Sequence, residues 1–110
     1  MSDFDFQAVV DSMTATLKER LGDLWESAGT FAAAEARKFT QSMEEVMEWK
    51  VQGQIDEDMA YSLMRLHRRS MKMVLAAAKG ISLAMAEKAV DDAVDGVKGM
   101  VNGAIGFRLV

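Results

Sequence analysis

The chain has 110 residues, half of them hydrophobic, and carries 17 acidic and 13 basic residues for a net charge of −4. That length is typical of one domain, so we expect a single domain over residues 1–110. The acidic balance argues against general nucleic-acid binding. Cysteine is absent, which excludes disulfides and thiolate metal sites.

Proline is also absent, so glycine is the only strong helix breaker in the chain. Val and Ile nowhere alternate with polar residues, as they would in a half-buried strand. The sequence therefore predicts an all-α fold.

The N-terminus, Met-Ser-Asp-Phe-Asp, is acidic and lacks the basic and apolar regions of a signal peptide. The longest nearly apolar stretch, residues 73–86, is short and contains Lys79. We expect neither a signal peptide nor a transmembrane helix, which by default places the protein in the cytoplasm or in a virion.

The first half predicts an amphipathic helical arm over about residues 4–52. Apolar residues recur along most of it at spacings of three and four. Asp3 or Asp5 is suited to cap its start. Gly29 leaves two arrangements open, because it either lies inside a continuous helix or breaks the arm to give a three-helix arrangement.

The clearest turn in the sequence lies near Gly53–Asp56. Gly53 suits the position after a helix end, and Asp56 suits an N-cap followed by two further acids. The second arm then covers about residues 56–106, and the two arms together predict a long helical hairpin.

The C-terminal half of the second arm carries one row of very small residues and one row of large apolar residues. Each glycine costs a helix interior about 0.5–1 kcal/mol relative to alanine. We therefore expect close approach of another helix at the small row, between subunits, with fraying of the C-terminal glycines as the alternative. A helix that is apolar around most of its circumference is normally buried among other structural elements. We therefore expect the hairpin to pack into a larger helical assembly. The predicted interaction residues are Ser82, Ala86, Ala89, Ala93, Gly96, Gly103 and Gly106 in the small row, and Val90, Val94, Val97, Val101 and Ile105 in the large row.

Charge is divided unevenly between the two arms. Residues 1–58 hold 13 acids and 5 bases, whereas residues 59–110 hold 4 acids and 8 bases. We expect the acidic first arm to meet the basic face of the second, within a chain or between chains. Phosphates or anionic lipid are the alternative ligands of that face. It consists of Arg65, Arg68, Arg69, Lys72 and Lys79.

The spacings that catalysis or metal binding would need do not occur. His67 is the only histidine, and Met64 stands where a di-iron motif would place a glutamate. Adjacent acids such as Glu44 and Glu45 diverge on a helix and make a poor acid–base pair. We expect no catalytic residue, metal or cofactor, and we interpret His67 as a partly exposed residue at a helix seam.

Two functions fit these features. The first is a non-enzymatic structural protein that forms a homo-oligomer or docks onto other helical subunits, as small phage or bacterial scaffolding and virion components do. Nine of its ten methionines are internal, and methionine suits irregular interfaces. The second is an amphipathic protein that binds or perturbs a membrane or lipid surface.

Overall fold

A computed structural model of the chain describes residues 4–110. Over those residues the structure contains helices and no strand, which confirms the predicted all-α class. The elements are α1 (Phe6–Leu21), a 3₁₀ turn (Gly22–Leu24), α2 (Trp25–Val51), α3 (Glu57–Ala76) and α4 (Leu83–Ile105).

The first arm reverses direction at the 3₁₀ turn between α1 and α2. Gly22 adopts φ +56° there, a conformation that glycine reaches without steric cost. Helix α1 consequently packs back along α2, and the Thr40 hydroxyl lies 4.0 Å from the sulfur of Met13. Asp5 is the N-cap of α1, and its carboxylate accepts the Ala8 N–H at 3.1 Å, while Asp3 lies outside the described residues.

Of the two arrangements left open at Gly29, the structure shows a glycine inside a continuous helix, and the arm reverses earlier, at Gly22. Gly29 is buried inside α2, and a β-carbon there would lie 2.8 Å from the Trp25 ring. Its missing side chain makes room for the indole four residues earlier. This glycine serves packing, whereas Gly22 serves the turn.

The predicted turn at Gly53–Asp56 is confirmed. Gly53 adopts φ +79° after α2, and the Asp56 carboxylate accepts the Met59 N–H at 2.8 Å as the N-cap of α3. Helix α3 then runs back along α2.

The expectation of one continuous helix over residues 56–106 was wrong. Helix α3 ends at Ala76, Gly80 adopts φ +89°, and Ser82 caps α4 by accepting the Met85 N–H on its hydroxyl at 3.1 Å. Ile81, in the connection, is buried in the same core as the helices. The apolar spacing therefore passes through the break without interruption, which is why the periodicity alone missed it.

Each helix packs against two neighbours, and the buried side chains form one continuous core. Helices α1 and α3 each contact both α2 and α4. The large apolar row of α4 faces this core, where Val90, Val94, Val97 and Val101 are fully buried and Ile105 is half-buried. The fold-back of α1 covers the face that a two-helix hairpin would have left open.

Helix α4 stays helical to Ile105 and ends at Gly106, which adopts φ +83°. Gly106 is thus a helix cap, outside the helical part of the small row. The tail beyond it is held by Asn102, whose side-chain oxygen accepts the Leu109 and Val110 N–H groups at 2.8 and 3.1 Å. The Leu109 side chain is fully buried in the hydrophobic core.

Candidate functional site

Helix α3 presents large apolar side chains on both of its faces. One face is buried, and on the opposite face Met59, Leu66 and Met73 are 50%, 57% and 61% exposed. These three residues are seven apart, so they lie along one side of the helix over about 21 Å. Exposed apolar residues are common one at a time, whereas an aligned set of three marks a candidate contact surface.

Two arginines border this exposed row. Arg65 and Arg69 are exposed, and neither forms an ion pair within residues 4–110. Together with the row they form a surface, the α3 strip, that consists of Met59, Leu66, Met73, Arg65 and Arg69.

The α3 strip continues into a groove between α3 and α4. The groove is open to solvent, has a volume of about 520 Å³, and has Arg65, Arg69 and Met73 on its α3 side. Leu83, the first residue of α4, lines it from the other side and is half exposed. Apolar surface therefore extends from the helix into the groove, whose α4 side also carries the carboxylates of Glu87 and Asp91.

Two other members of the basic face form ion pairs inside the fold. Arg68 contacts Asp91 at 3.0 Å and Asp95 at 2.9 Å, and Lys72 contacts Asp91 at 2.8 Å. The acids that meet α3 within the chain thus come from α4, and the expected pairing with the acidic first arm was wrong for these residues. The reason is the break before Leu83, which folds α4 back along α3.

The adjacent acids Asp91 and Asp92 diverge on α4, as expected of neighbours on a helix. Asp92 contacts Arg20 of α1 at 2.7 Å and Lys88 at 3.1 Å. Those hydrogen bonds, the one from Arg20 first, lower the pKa of the Asp92 carboxyl. Burial alone would raise the pKa of Asp91, but the hydrogen bonds from Lys72 and Arg68 outweigh it and lower that pKa below its ordinary value.

The helical members of the small row divide into two groups. Ala86, Ala89 and Ala93 are fully buried within the chain. Gly96 and Gly103 are exposed, and a β-carbon on either would meet no atom within 4 Å. The structure therefore places the alanines in the core and the two glycines at the surface, while the predicted contact between subunits stays a prediction.

His67 is half-buried in a cleft between α2 and α3, beside Glu35, Ser42 and Ser70. Glu35 is buried and pairs with Lys38 at 3.1 Å. No group of three or more potential metal ligands occurs in the part of the chain that the structure describes. Lys79, the last member of the basic face, is exposed and forms no ion pair with residues 4–110.

A second exposed surface lies at the C-terminal end of α2. Glu44, Glu45 and Glu48 are exposed and form no ion pair within residues 4–110. Trp49 and Val51 beside them are 39% and 59% exposed. These five residues are called the acidic end of α2 below. The exposure of the apolar pair next to the glutamates becomes evident only in the structure.

No protein-family model matches the chain, and neither a curated protein nor a solved structure matches it significantly. Among the described residues, no helix combines the length and the apolar character needed to cross a membrane.

Proposed function

We propose that the protein is a non-enzymatic assembly protein whose copies associate through the α3 strip. The observation that carries this proposal is the strip itself, in which three aligned apolar side chains are at least half exposed beside two arginines without an ion pair in residues 4–110. Such a bundle suits a scaffold or virion component that is built from repeated copies.

The spacing of the strip fits a partner helix. Apolar residues that recur every seven positions are typical of a helix that packs lengthwise on another helix. Two of the three are methionines, whose flexible thioethers adapt to irregular partner surfaces. Ser62 and Ser70 are exposed on the same side and leave room for the side chains of a partner.

The area available indicates a modest affinity. Burying one of these side chains completely contributes about 1.5–3 kcal/mol, and each is already partly covered. The core is complete within one chain, so folding does not depend on the contact. We expect a concentration-dependent association of folded copies, smaller than the interfaces of obligate dimers.

Charge favours a second copy as the occupant. The strip offers Arg65 and Arg69, and the same chain exposes three carboxylates at the acidic end of α2, all without ion pairs inside residues 4–110. Two copies together therefore supply both signs of charge.

An anionic lipid surface is the competing occupant, because interfacial helices also combine apolar residues with arginine. Three apolar side chains along about 21 Å give little depth of insertion. The net charge of −4 opposes approach to an anionic membrane.

The test is the mass of the protein by light scattering over a series of concentrations. The parent should exceed the 12.1 kDa of one chain as its concentration rises. Leu66→Ser should shift that rise to higher concentration, whereas Met100→Ser, on the exposed face of α4, should not. Both positions are exposed, so both variants should keep the parent's stability within about 0.5 kcal/mol.

Three outcomes would contradict the proposal. A parent that stays at the mass of one chain at every concentration excludes self-association. An equal effect of the two substitutions excludes the strip as the contact. Flotation of the parent with anionic vesicles, lost in Leu66→Ser, would assign the strip to a lipid surface instead.

A further inference from the structure

We infer that the α3 strip of one copy binds the acidic end of α2 in a second copy, so that association is head-to-tail. This inference rests on the proposed function and names the partner surface. It follows from three observations: the spacing of the charges, the apolar residues beside them, and the absence of acids on the strip.

The charges of the two surfaces have matching spacing. Arg65 and Arg69 are four residues apart on α3, as Glu44 and Glu48 are on α2. Each pair therefore spans about 6 Å along its helix at 1.5 Å per residue. Two arginines can meet two carboxylates at once, which is the arrangement in which exposed ion pairs contribute most.

Apolar surface accompanies the charge on both sides. The strip contributes Met59, Leu66 and Met73, and the acidic end contributes Trp49 and Val51, all partly or largely exposed. Tryptophan and methionine are among the residues enriched at the centre of protein interfaces. The two surfaces thus complement each other in both of their chemical components.

A symmetric contact between two strips lacks this complementarity. From residue 59 to residue 79 the sequence contains five bases and no acid. Arg68 and Lys72 are neutralised by α4, but Arg65 and Arg69 would face the same two arginines of the partner. Like charges in contact disfavour that arrangement and favour two different surfaces.

Use of two different surfaces has a consequence for the assembly. When two copies bind head-to-tail, the first keeps a free acidic end and the second keeps a free strip. Such contacts build rings when the rotation closes and filaments when it does not. Association is therefore expected to continue beyond a dimer.

The test uses two charge-reversed variants and their mixture. In Arg65→Glu/Arg69→Glu both surfaces of the chain are acidic, and in Glu44→Lys/Glu48→Lys both carry a net positive charge. Each variant alone should stay at the mass of one chain at concentrations where the parent associates. An equimolar mixture should recover the association. In the mixture the acidic strip of the first variant meets the basic α2 end of the second, and the basic strip of the second meets the acidic α2 end of the first. Lys18→Glu/Lys98→Glu has the same net charge as the first variant, leaves both surfaces intact, and should associate as the parent does.

Each alternative result is decisive. If Glu44→Lys/Glu48→Lys keeps the parent's mass while Arg65→Glu/Arg69→Glu loses it, the strip is the contact but the acidic end is not, and this inference alone fails. If both variants lose association and the mixture does not recover it, the surfaces do not pair directly, which also overturns the inference. If both variants associate as the parent does, the strip is not the contact, and the proposed function fails as well.

Discussion

At the scale of single residues, the neighbours Asp91 and Asp92 hold three helices together. Asp91 points to α3, where it binds Arg68 and Lys72, and Asp92 points to α1, where it binds Arg20. The 100° between successive residues on a helix separates the two carboxylates, so each serves a different neighbouring helix. These ion pairs stabilise the fold only while the two carboxylates are ionised.

This dependence predicts how the stability contributed by Asp91 changes with pH. Its pKa is lowered in the folded chain, so the ionised carboxylate stabilises the fold above the unfolded pKa of about 3.8. That contribution is lost as pH falls through the folded value. Asp91→Asn should therefore be less stable than the parent at neutral pH, and the difference should shrink towards about pH 3.

Urea unfolding followed by circular dichroism at the two pH values measures this difference. Glu87→Gln is the control, because Glu87 is exposed on the same helix and forms no ion pair within residues 4–110. A gap between parent and Asp91→Asn that stays constant with pH would show that ionisation of Asp91 does not stabilise the fold.

The sequence predicts some of these residue roles and misses others. The N-cap role of Asp56 can be predicted from its carboxylate side chain and from Gly53 shortly before it. Helical spacing does not predict the Arg68–Asp91 ion pair, because the pair forms only if the chain reverses direction between Lys79 and Ser82. Gly80 followed by Ser82 carries the signature of a helix end and a new N-cap, and placing a turn there brings Arg68 opposite Asp91.

At the scale of elements, α4 uses its small residues in two ways. Its alanines let neighbouring helices approach within the bundle, whereas its exposed glycines meet open space. The spacing of the row was visible in the sequence. The difference in environment was not, because helical periodicity does not say where α1 lies.

Paired substitutions separate these two environments. Ala93→Leu adds atoms to a fully buried site and should lower the free energy of unfolding by about 1–3 kcal/mol. Gly96→Ala removes an exposed helical glycine and should raise it by about 0.5–1 kcal/mol. Urea unfolding measures both changes, and the mass by light scattering should match the parent in both variants.

One result would restore the predicted seam between subunits. If Gly96→Ala weakens association without lowering the stability of the single chain, a partner backbone approaches that glycine in the assembly. The open space around Gly96 in one chain would then be occupied by a second copy.

At the scale of the whole molecule, the fold class follows from composition, but the number of helices does not. The absence of proline and of alternating strands predicts an all-α chain. The reversals at Gly22 and Gly80 depend on which glycines adopt positive φ, and spacing alone does not distinguish these from Gly29. The extra reversals bury the valine row and leave the α3 strip as the principal exposed apolar row.

The strip itself was only half predicted. Arg65 and Arg69 were recognised as part of a basic face, whereas the apolar residues of the same helix, Leu66 and Met73 among them, form a broad stripe in the sequence. Which part of that stripe faces the core depends on where α2 and α4 pack against α3. The structure directs Met64 and Met71 inward and leaves Leu66 and Met73 in solvent.

The most direct test of the central claim, that copies meet at the α3 strip, is the methyl NMR spectrum of methionine at increasing protein concentration. The side chains of Met59 and Met73 are exposed on the strip, Met100 is exposed on α4, and Met13 and Met43 are fully buried. Self-association at the strip predicts that the Met59 and Met73 signals shift or broaden with concentration while the other three stay constant. Concentration-dependent changes at Met100 alone, or no change at Met59 and Met73 while the mass rises, would contradict the claim.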